Sequence, residues 1–565
     1  MKSERGNAVD EGEVISEPLL YPNRAGLKIA AFFDHRRVGF KSCPFVILAP
    51  KYSETKKNNL QLAYFLAVNG LNVIRFDHSC HIGESDGDRL KFTLPGAVED
   101  ILATLDFLEQ RMAVQSAGLI GSSLSARTAL RAAAQDARVS FLICVVGVVN
   151  FRETVLQVYR EDLVEQHLDG KRHGVNDLLG CNIDFDHFGE TAIASDMVDL
   201  EGSLVDGRNL KVPALFFQAE HDVWVDLKEV EAVAAAAPNA KVRRIAGALH
   251  EVRESAVVAD RLFRELVIAS VNLSYGTKLQ RTQALAPNKA AMLKQNRIER
   301  ERLQRVENRG VDETSFWSEY LTKFEYLKNA RAYRSFLDLV VELISPICPG
   351  EILVDAGCGN GALGLWAGRA WASARGASHE GDPPVWLSVD LTSSGLAEAM
   401  NSQAGLADQR ERGFGALGFA YLRANFNDKD ELGDTRALGW LIDGSVDAVV
   451  ANLLVSYLDE PASVVKAFHR ILRPGGRIVL SSMKPHCDMS GIWRDFLDEG
   501  AEGARLEPAR DLLRAVGAIR VKEDVGMYRF FSANELVELL GAAGFCKCVS
   551  YLTFSNQAVV VRAEK

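Results

Sequence analysis

The sequence lacks the excess of basic residues that nucleic-acid-binding proteins carry. Its 565 residues include 65 Lys and Arg against 75 Asp and Glu, which gives a formal net charge of -10. An acidic chain offers no electrostatic footprint for a phosphate backbone, so we expect no nucleic acid partner. The same charge gives little help in docking an acidic carrier protein unless a local basic patch exists.

Metal-ligand spacing, a signal peptide and a membrane span are also missing. The nine cysteines show no paired spacing, and Cys546-Lys547-Cys548 is too tight for a zinc knuckle, so we expect no metal and reduced thiols in a cytoplasmic protein. The first 17 residues or so contain no apolar signal core. The longest apolar run, 139–149, is too short for a bilayer and predicts a buried strand.

The length of 565 residues favours two domains of about 250 residues each. In the first half, buried-strand patterns at 44–50 and 71–76 alternate with helical patterns at 60–68 and 95–109. Alternation of this kind predicts an α/β fold with a mostly parallel sheet.

A strand, a sharp turn and a helix meet at Ser123. The apolar run 117–122 precedes it, small residues Gly121 and Ser125 flank it, and an Ala-rich helical pattern follows. This is typical of a nucleophile elbow, in which the turn lifts a serine above the sheet and its flanks must be small. Ser125 stands where the general motif has glycine, so the motif alone leaves a plain strand-to-helix turn open.

Asp222 and His250 each follow a later predicted strand, at 212–219 and 241–245. Serine, acid and histidine, each beyond a strand's carboxyl end, is the chain order of α/β-hydrolases. His250 would deprotonate Ser123, and Asp222 would fix the tautomer of the imidazole.

The oxyanion of such a reaction needs backbone N–H donors. We expect one from Leu124 at the helix N-terminus and one from the loop near Lys51 or Tyr52.

Residues 20–270 resemble the acyltransferase of bacterial luminescence systems, a myristoyl-acyl-carrier-protein thioesterase with an α/β-hydrolase fold. That family shares the serine at position 125. The resemblance implies a serine acyl-enzyme formed from a fatty acyl thioester of acyl-carrier protein or coenzyme A, then released to water or another acceptor. The residues that carry the resemblance are Ser122-Ser123-Leu124-Ser125-Ala126-Arg127, Arg75-Phe76-Asp77, His81-Ile82-Gly83 and Asp222-Val223-Trp224-Val225.

Residues 276–311 mix Lys and Arg with Glu and Gln. A charged helix or loose linker and a carrier-protein docking surface are both open interpretations. An apolar pattern at helical spacing follows, which is typical of a core helix or of a lid over a second site. Its members are Trp317, Tyr320, Phe324, Leu327, Tyr333, Phe336 and Leu337.

A glycine-rich loop organises the second half. Asp355 ends a buried-strand pattern, and Gly357, Gly359 and Gly361 follow it before a helical pattern. Glycines allow the sharp turn and the close approach of backbone to a ligand. The loop also satisfies the dinucleotide fingerprint, which makes a nicotinamide cofactor the alternative.

Later strands end in polar residues that suit a nucleoside. Asp390 could accept hydrogen bonds from ribose hydroxyls, Asn425 could face an adenine edge, and Asn452 ends the fourth strand.

With Leu472-Arg473-Pro474-Gly475-Gly476, these residues resemble class I S-adenosylmethionine-dependent methyltransferases over 316–565. A dehydrogenase is not expected to carry Asp390, the 447–452 strand and this turn together. The resemblance implies S-adenosylmethionine as cofactor and a small-molecule methyl acceptor. Lys484 and His486 lie past the fifth strand, where an anion clamp, a base or a solvated loop are all open.

The sequence therefore predicts two α/β domains, an α/β-hydrolase fold followed by a Rossmann-like class I methyltransferase fold. The expected segments are a disordered tail 1–18, a hydrolase domain 19–275, a charged linker 276–312 and a methyltransferase domain 313–565. We expect a bifunctional enzyme that transfers or hydrolyses a fatty acyl or polyketide-like thioester and methylates an acceptor, with the released acyl product as a candidate. The alternative is a methyltransferase whose hydrolase-like domain is a non-catalytic acyl-binding or carrier-docking module.

Overall fold

The structure is a computed structural model that describes residues 13–276, 279–307, 313–324, 330–375, 382–411, 417–430, 435–493 and 506–565. The chain forms two compact units. The first comprises residues 1–309 and 517–527, and the second comprises residues 310–516 and 528–565.

The first unit is built on an eight-stranded sheet and a separate two-stranded hairpin. Its strands are β1 (Val14–Pro22), β2 (Lys28–Arg36), β3 (Phe45–Ala49), β4 (Asn72–Phe76), β5 (Ala117–Ser122), β6 (Val139–Val145), β7 (Val175–Leu178), β8 (Cys181–Asp184), β9 (Ala214–Ala219) and β10 (Ala240–Ile245). The sheet order is β1-β2-β4-β3-β5-β6-β9-β10, and β7 pairs with β8.

Strand β2 runs antiparallel to both of its neighbours, β1 and β4. The strands from β4 to β10 in the sheet order are parallel, with Ile47 of β3 opposite both Ile74 and Leu119. The central strands β3, β4, β5, β6 and β9 are buried on both faces, which is why they read as apolar runs in the sequence, whereas the edge strand β10 is partly exposed. This order and the antiparallel second strand are those of the α/β-hydrolase fold, so the predicted fold class is confirmed.

Helices cover both faces of this sheet. They are α1 (Leu60–Val68), α2 (Leu94–Met112), α3 (Leu124–Gln135), α4 (Phe151–Tyr159), α5 (Leu163–Leu168), α6 (Phe185–Ala194), α7 (Leu200–Asn209), α8 (Leu227–Ala236), α9 (Ala256–Tyr275) and α10 (Lys289–Glu307). The segment 151–209, from α4 to α7 with the β7–β8 hairpin, is inserted between β6 and β9. We call it the cap segment.

Two ends of the first unit differ from the sequence expectation. β1 begins at Val14, inside the stretch 1–18 expected to be a disordered tail, of which residues 1–12 lie outside the described residues. Helix α10 lies within the stretch 276–312 predicted as a charged linker, and it belongs to the first unit. Residues 277–278 and 308–312 of that stretch lie outside the described residues.

A buried ion triad ties α10 to the sheet. Arg75 on β4 is fully buried, and its guanidinium donates to Asp34 of β2 and to Glu299 of α10 at distances from 2.6 to 3.1 Å. A fifth bond, 3.0 Å long, goes to the carbonyl of Lys56, so all five N–H donors are used. Composition alone could not show that a glutamate in so charged a stretch is buried.

Replacing Arg75 with methionine is expected to destabilise the first unit by about 3 to 5 kcal/mol, because Asp34 and Glu299 would remain buried without this cation. Urea unfolding of the full chain measures the change. Arg37→Met is the matched control, since Arg37 and Glu13 form a solvent-exposed pair, and removing its cation leaves no buried carboxylate behind. Equal unfolding midpoints for the two variants would contradict this account.

The second unit is built on a seven-stranded sheet. Its strands are β11 (Ile352–Ala356), β12 (Val385–Asp390), β13 (Gly418–Arg423), β14 (Val446–Ala451), β15 (Leu472–Met483), β16 (Cys546–Thr553) and β17 (Ala558–Glu564). The order is β13-β12-β11-β14-β15-β17-β16; β17 is antiparallel to both of its neighbours, and β13 to β15 are mutually parallel. This is the topology of class I methyltransferases, with the chain reversing its direction of progress between β11 and β14.

Longer α-helices accompany this sheet. They are α11 (Glu313–Phe324), α12 (Arg331–Ile344), α13 (Ala362–Arg375), α14 (Ser393–Glu411), α15 (Pro461–Ile471), α16 (Leu506–Asp524) and α17 (Ala533–Ala542). The predicted apolar pattern supplies Tyr333, Phe336 and Leu337 to the buried face of α12, whereas Leu327 lies outside the described residues. Across the described parts of the whole chain, the helices are all too short or too polar to cross a bilayer.

Candidate active sites

Ser123 occupies a strained turn between β5 and α3. Its backbone has φ +53° and ψ -127°, a region that non-glycine residues rarely adopt. A Cβ on Gly121 would lie 2.6 Å from the carbonyl oxygen of Ser125 and 2.8 Å from the Cβ of Ala129, so no larger residue fits there. The turn thus sets Ser123 above the carboxyl end of the sheet.

The structure brings the three predicted residues into one hydrogen-bonded relay. The Oγ of Ser123 lies 3.0 Å from Nε2 of His250, and Nδ1 of His250 lies 2.8 Å from Oδ2 of Asp222. All three side chains are at least nine-tenths buried. They come together because β5, β9 and β10 are parallel and end at the same edge of the sheet.

Asp222 is held by more than the histidine. Its Oδ2 also accepts 2.8 Å from the side-chain amide of Gln218, and its Oδ1 accepts from the backbone N–H groups of Trp224 and Val225 at 2.9 and 3.2 Å. Four donors therefore fix the carboxylate, and the carboxylate fixes the imidazole ring.

The two predicted oxyanion donors belong to the residue after Ser123 and to the loop after β3, the strand that pairs with β5. Leu124 is the first residue of α3, so its N–H has no acceptor within the helix. Tyr52 lies in the loop after β3 and is buried, and its hydroxyl has no partner among the described residues. The hydroxyl of Ser125 donates to the carbonyl of Pro50, which ties this loop to the elbow. Sequence reasoning found the departure from glycine but not this bond.

An aromatic wall, which the sequence did not reveal, runs from the Tyr52 loop into the cap segment. The ring of Tyr52 stacks on His81 at 4.7 Å between centroids, and His81 lies 4.6 Å from Phe92. Phe188 follows at 6.4 Å and Phe151 at 5.1 Å from Phe188. Burial lowers the pKa of His81 to about 3, so the ring is neutral and accepts a bond from the N–H of Ser53. The wall is therefore uncharged along its length.

The glycine loop of the second unit has the geometry that requires glycine. Gly357, Gly359 and Gly361 have φ values of +72°, +54° and +75°. A Cβ on Gly361 would lie 2.5 Å from the Cβ of Ala399 on α14. The loop is thus held closely against α14 in a backbone conformation that only glycine adopts without strain.

Asp390, at the end of β12, is hydrogen-bonded to the glycine loop. Its Oδ2 accepts 2.8 Å from the N–H of Gly359, and its Oδ1 accepts from the N–H and hydroxyl of Thr392, both at 2.8 Å. A carboxylate has about four lone-pair sites, so one on Oδ2 remains for a ligand hydroxyl.

Asp355 is buried with one oxygen unsatisfied. Its Oδ2 accepts from the indole N–H of Trp386 at 3.2 Å, while its Oδ1 has no partner among the described residues. Burial, with the nearby charge of Asp390, raises the pKa of Asp355 to about 7. An orphaned carboxylate oxygen beside a glycine cradle fits a nucleoside cofactor that carries a positive charge.

The remaining residues predicted for the second site lie at or just beyond the ends of β13, β14 and β15. Asn452 lies directly after β14 and accepts from the hydroxyl of Ser481 at 2.8 Å. Asn425 lies two residues past β13, where its amide donates to Asp428, so its contact with an adenine stays a prediction. Lys484 and His486 lie just past β15.

The stability of the second unit is expected to fall as pH rises from about 4 to about 7. The Asp355 carboxyl has a pKa near 7 when folded and about 4 when unfolded, so the folded state holds an extra proton in this window. Between pH 5 and pH 8 the loss would be about 2 to 3 kcal/mol. Asp355→Asn should remove this part of the pH dependence in denaturant unfolding, and identical pH slopes would contradict the assignment.

The fold and these arrangements define an α/β-hydrolase-like unit and a methyltransferase-like unit in one chain. A family model described as "Acyl transferase" matches residues 28–307, and one described as "Methyltransferase domain" matches residues 326–548. The acyl transferase of Photobacterium phosphoreum is 30% identical over 230 residues, which are 40% of this chain and 74% of that protein. The acyl transferase of Photorhabdus luminescens is 29% identical over 233 residues, 41% and 75% of the two chains. Through its N-terminal half, the chain belongs to the acyl transferase family.

Solved structures also resemble the N-terminal half. Est1E from Butyrivibrio proteoclasticus is 18% identical, with a TM-score of 0.38, and covers 45% of this chain and 99% of its own. The enol-lactonase from Burkholderia xenovorans is 18% identical, with a TM-score of 0.33, and covers 45% and 100%. Both scores are low, and the fold assignment rests on the strand order.

Proposed function

We propose that this chain is a bifunctional enzyme whose first unit transfers or hydrolyses a fatty acyl thioester through an acyl-enzyme on Ser123. The observation that carries the proposal is the relay from Ser123 through His250 to Asp222, at 3.0 and 2.8 Å. The match to the acyl transferase family supports a thioester as acyl donor.

The relay accounts for each proton of the reaction. His250 takes the hydroxyl proton as Ser123 Oγ bonds to the acyl carbon, and the N–H groups of Leu124 and Tyr52 would donate to the oxyanion. The carbon–sulfur bond then breaks, and His250 returns the proton to the leaving thiolate. Water or another acceptor, deprotonated by His250, attacks the serine ester, and Ser123 regains its proton as the acyl group leaves.

The aromatic wall supports a long apolar acyl group. It begins at the ring of Tyr52, the residue whose backbone N–H is a proposed oxyanion donor, and continues through Phe92 to Phe188 in the cap segment. Burying a hydrocarbon chain against such rings is favourable by roughly 0.8 kcal/mol per CH₂. Fatty acyl thioesters of a carrier protein and of coenzyme A both present such a chain.

We further propose that the second unit uses S-adenosylmethionine. When bound, this cofactor supplies an electrophilic methyl group on a sulfonium centre. Asp390 would accept hydrogen bonds from the ribose hydroxyls, and Asp355 would balance the positive charge of the cofactor. The backbone of the glycine loop would contact the cofactor, and Asn425 and Asn452 would bind near the base. The chain's own contribution is positioning and exclusion of water.

The released acyl product is our candidate methyl acceptor. A carboxylate needs no base to accept a methyl group, and linking two activities raises the effective concentration of a shared intermediate. A cytoplasmic location stays a prediction.

One reaction mixture tests both halves. The full chain is given a panel of acyl-carrier-protein and acyl-CoA thioesters with methyl-labelled S-adenosylmethionine, and the products are followed by mass spectrometry. A labelled methyl ester of the acyl chain supports two sites acting in series. Free acid without label would reject the series hypothesis. A third outcome would favour a non-catalytic acyl-binding unit. In that case the unaltered chain cleaves no thioester, and Ser123→Ala methylates its acceptor at the same rate as the unaltered chain.

A further inference from the structure

A short segment far along the chain packs beside the proposed acyl-transfer site. Residues 517–527 form the end of α16 and the turn after it, and in sequence they lie between β15 and β16 of the methyltransferase-type sheet. The structure nevertheless groups them with the first unit. We call residues 517–527 the clasp segment.

The clasp segment contributes to a cluster of alternating charges that we call the rim cluster. Arg520 pairs with Glu251 and lies 3.9 Å from Glu54, and Asp524 lies 4.0 Å from Arg520. Glu251 also accepts from Lys51 at 3.1 Å and from Arg253 at 2.8 Å. The members of the rim cluster are Lys51, Arg253, Arg520, Glu54, Glu251 and Asp524.

The rim cluster contains three basic and three acidic side chains, and Arg520 is one of the three basic ones. The side chains of Glu54 and Glu251 are only 4% and 3% exposed. Burial alone would raise the pKa of Glu251, but Arg253, Lys51 and Arg520 hold it well below its usual range. Without Arg520, two buried glutamates would share fewer cations, and one carboxylate would move or take up a proton.

The rim cluster joins the two loops that flank Ser123. Glu251 directly follows His250, and Lys51 directly precedes Tyr52. The Lys51 loop is fixed on its other side by the bond from Ser125 to Pro50. Arg520 therefore holds the loop of the general base and the loop of the oxyanion donor through one shared carboxylate, that of Glu251.

The same segment also packs against the cap segment and α10. A Cβ on Gly180, in the turn of the β7–β8 hairpin, would lie 2.7 Å from the backbone of Gly517, so the two backbones touch. At the other end, the carbonyl of Gly526 accepts from the side chain of Gln304 at 2.6 Å. The clasp segment thus contacts the hairpin, both reaction-centre loops and α10.

We propose that the clasp segment, which lies in the methyltransferase half of the sequence, completes the acyl-transfer site. Arg520 acts as a positioning residue for the loops of His250 and Tyr52. Gly517 supplies the backbone surface against which the cap hairpin packs. This inference rests on the proposed serine mechanism. It makes the acyl-transfer activity of the first half depend on residues that follow β15 in the chain.

The test uses the full chain and its Arg520→Ala variant. A fluorophosphonate probe forms an oxygen–phosphorus bond with an activated serine and releases fluoride, so its rate of reaction at Ser123 reports the relay directly. Because a misplacement of about 1 Å can slow catalysis roughly 100-fold, we expect Arg520→Ala to lower both the labelling rate and kcat by about 30- to 100-fold, with KM changed less than about threefold.

Three comparisons separate positioning from general support. Arg520→Lys keeps the positive charge and should recover kcat to within about fivefold of the unaltered chain. Arg514→Ala makes the same change on the same helix, where Arg514 pairs with Asp511, and should leave kcat unchanged. Gly517→Val should raise KM by about tenfold with little change in kcat, because it displaces the cap hairpin rather than the reaction-centre loops.

The outcomes distinguish this inference from the function on which it rests. Labelling of Ser123 in Arg520→Ala at the rate of the unaltered chain overturns the clasp. Equal losses in Arg520→Ala, Arg520→Lys and Arg514→Ala also overturn it, because they indicate a general loss of structure. If Ser123 of the unaltered chain is never labelled, the serine mechanism itself fails, and the clasp falls with it. Binding of S-adenosylmethionine, measured on each variant, checks that the second unit is intact.

Discussion

Replacing Ser123 with alanine is expected to lower the rate of acyl thioester cleavage by about 10⁵- to 10⁶-fold. The hydroxyl is the group that His250 contacts at 3.0 Å, and the strained turn of the elbow holds it there. The proposed oxyanion donors and the aromatic wall would remain, so a small residual rate above that of water is expected. Release of free thiol from an acyl-CoA thioester measures the change.

The control for this prediction is the neighbouring serine. Ser122 ends β5, and its replacement by alanine makes the same chemical change one residue away. We expect the cleavage rate of Ser122→Ala to stay within about threefold of the unaltered chain, since Ser122 is not in the relay. Thioester cleavage by Ser123→Ala at more than about a hundredth of the original rate would show that another group is the nucleophile.

Replacing Gly361 with valine is expected to weaken binding of S-adenosylmethionine by at least about 30-fold. The residue has φ +75°, and a Cβ there would lie 2.5 Å from Ala399, so the loop must move away from α14. Overpacking of this kind costs roughly 1 to 3 kcal/mol and the left-handed backbone about 1 to 2 more, where 1.4 kcal/mol is tenfold in affinity. Calorimetric titration with S-adenosylmethionine measures the effect.

Two further variants distinguish a specific loss of cofactor binding from a general loss of folding. Gly405 lies on the exposed face of α14, where an added Cβ would have no atom of the described residues within 4 Å, so Gly405→Ala should bind the cofactor normally. Asp390→Asn keeps the shape of the loop and removes the charge that accepts from Gly359, and about tenfold weaker binding is expected. Unchanged affinity in both Gly361→Val and Asp390→Asn would place the cofactor elsewhere.

The central strands of the first sheet were predictable because parallel strands buried on two faces leave continuous apolar runs. The runs at 71–76 and 212–219 correspond to β4 (Asn72–Phe76) and β9 (Ala214–Ala219). The residues at their ends were predictable for the same reason, since polar side chains after such runs must lie at the carboxyl edge. Ser123, Asp222 and His250 meet there as the sequence order suggests.

Long-range ion pairing left no comparable signal. Glu299 and Arg520 stand in charged helical stretches, and a buried charge looks like a solvated one when only its neighbours in sequence are known. The sequence shows that Ser125 replaces the glycine of the general motif. It does not show the acceptor of the Ser125 hydroxyl, because the carbonyl of Pro50 is 75 residues away in sequence. The aromatic wall was missed because its rings come from separate loops and helices, with no shared periodicity.

The measurement that tests the central claim most directly is mass spectrometry of the protein itself during turnover. The full chain is mixed with an acyl-CoA thioester, quenched in acid within a fraction of a turnover, digested and analysed. The account predicts a peptide containing Ser123 whose mass is increased by that of the acyl group, and the absence of this peptide in Ser123→Ala. Consumption of the thioester at the normal rate, with no acyl group on Ser123 at any time, would contradict it.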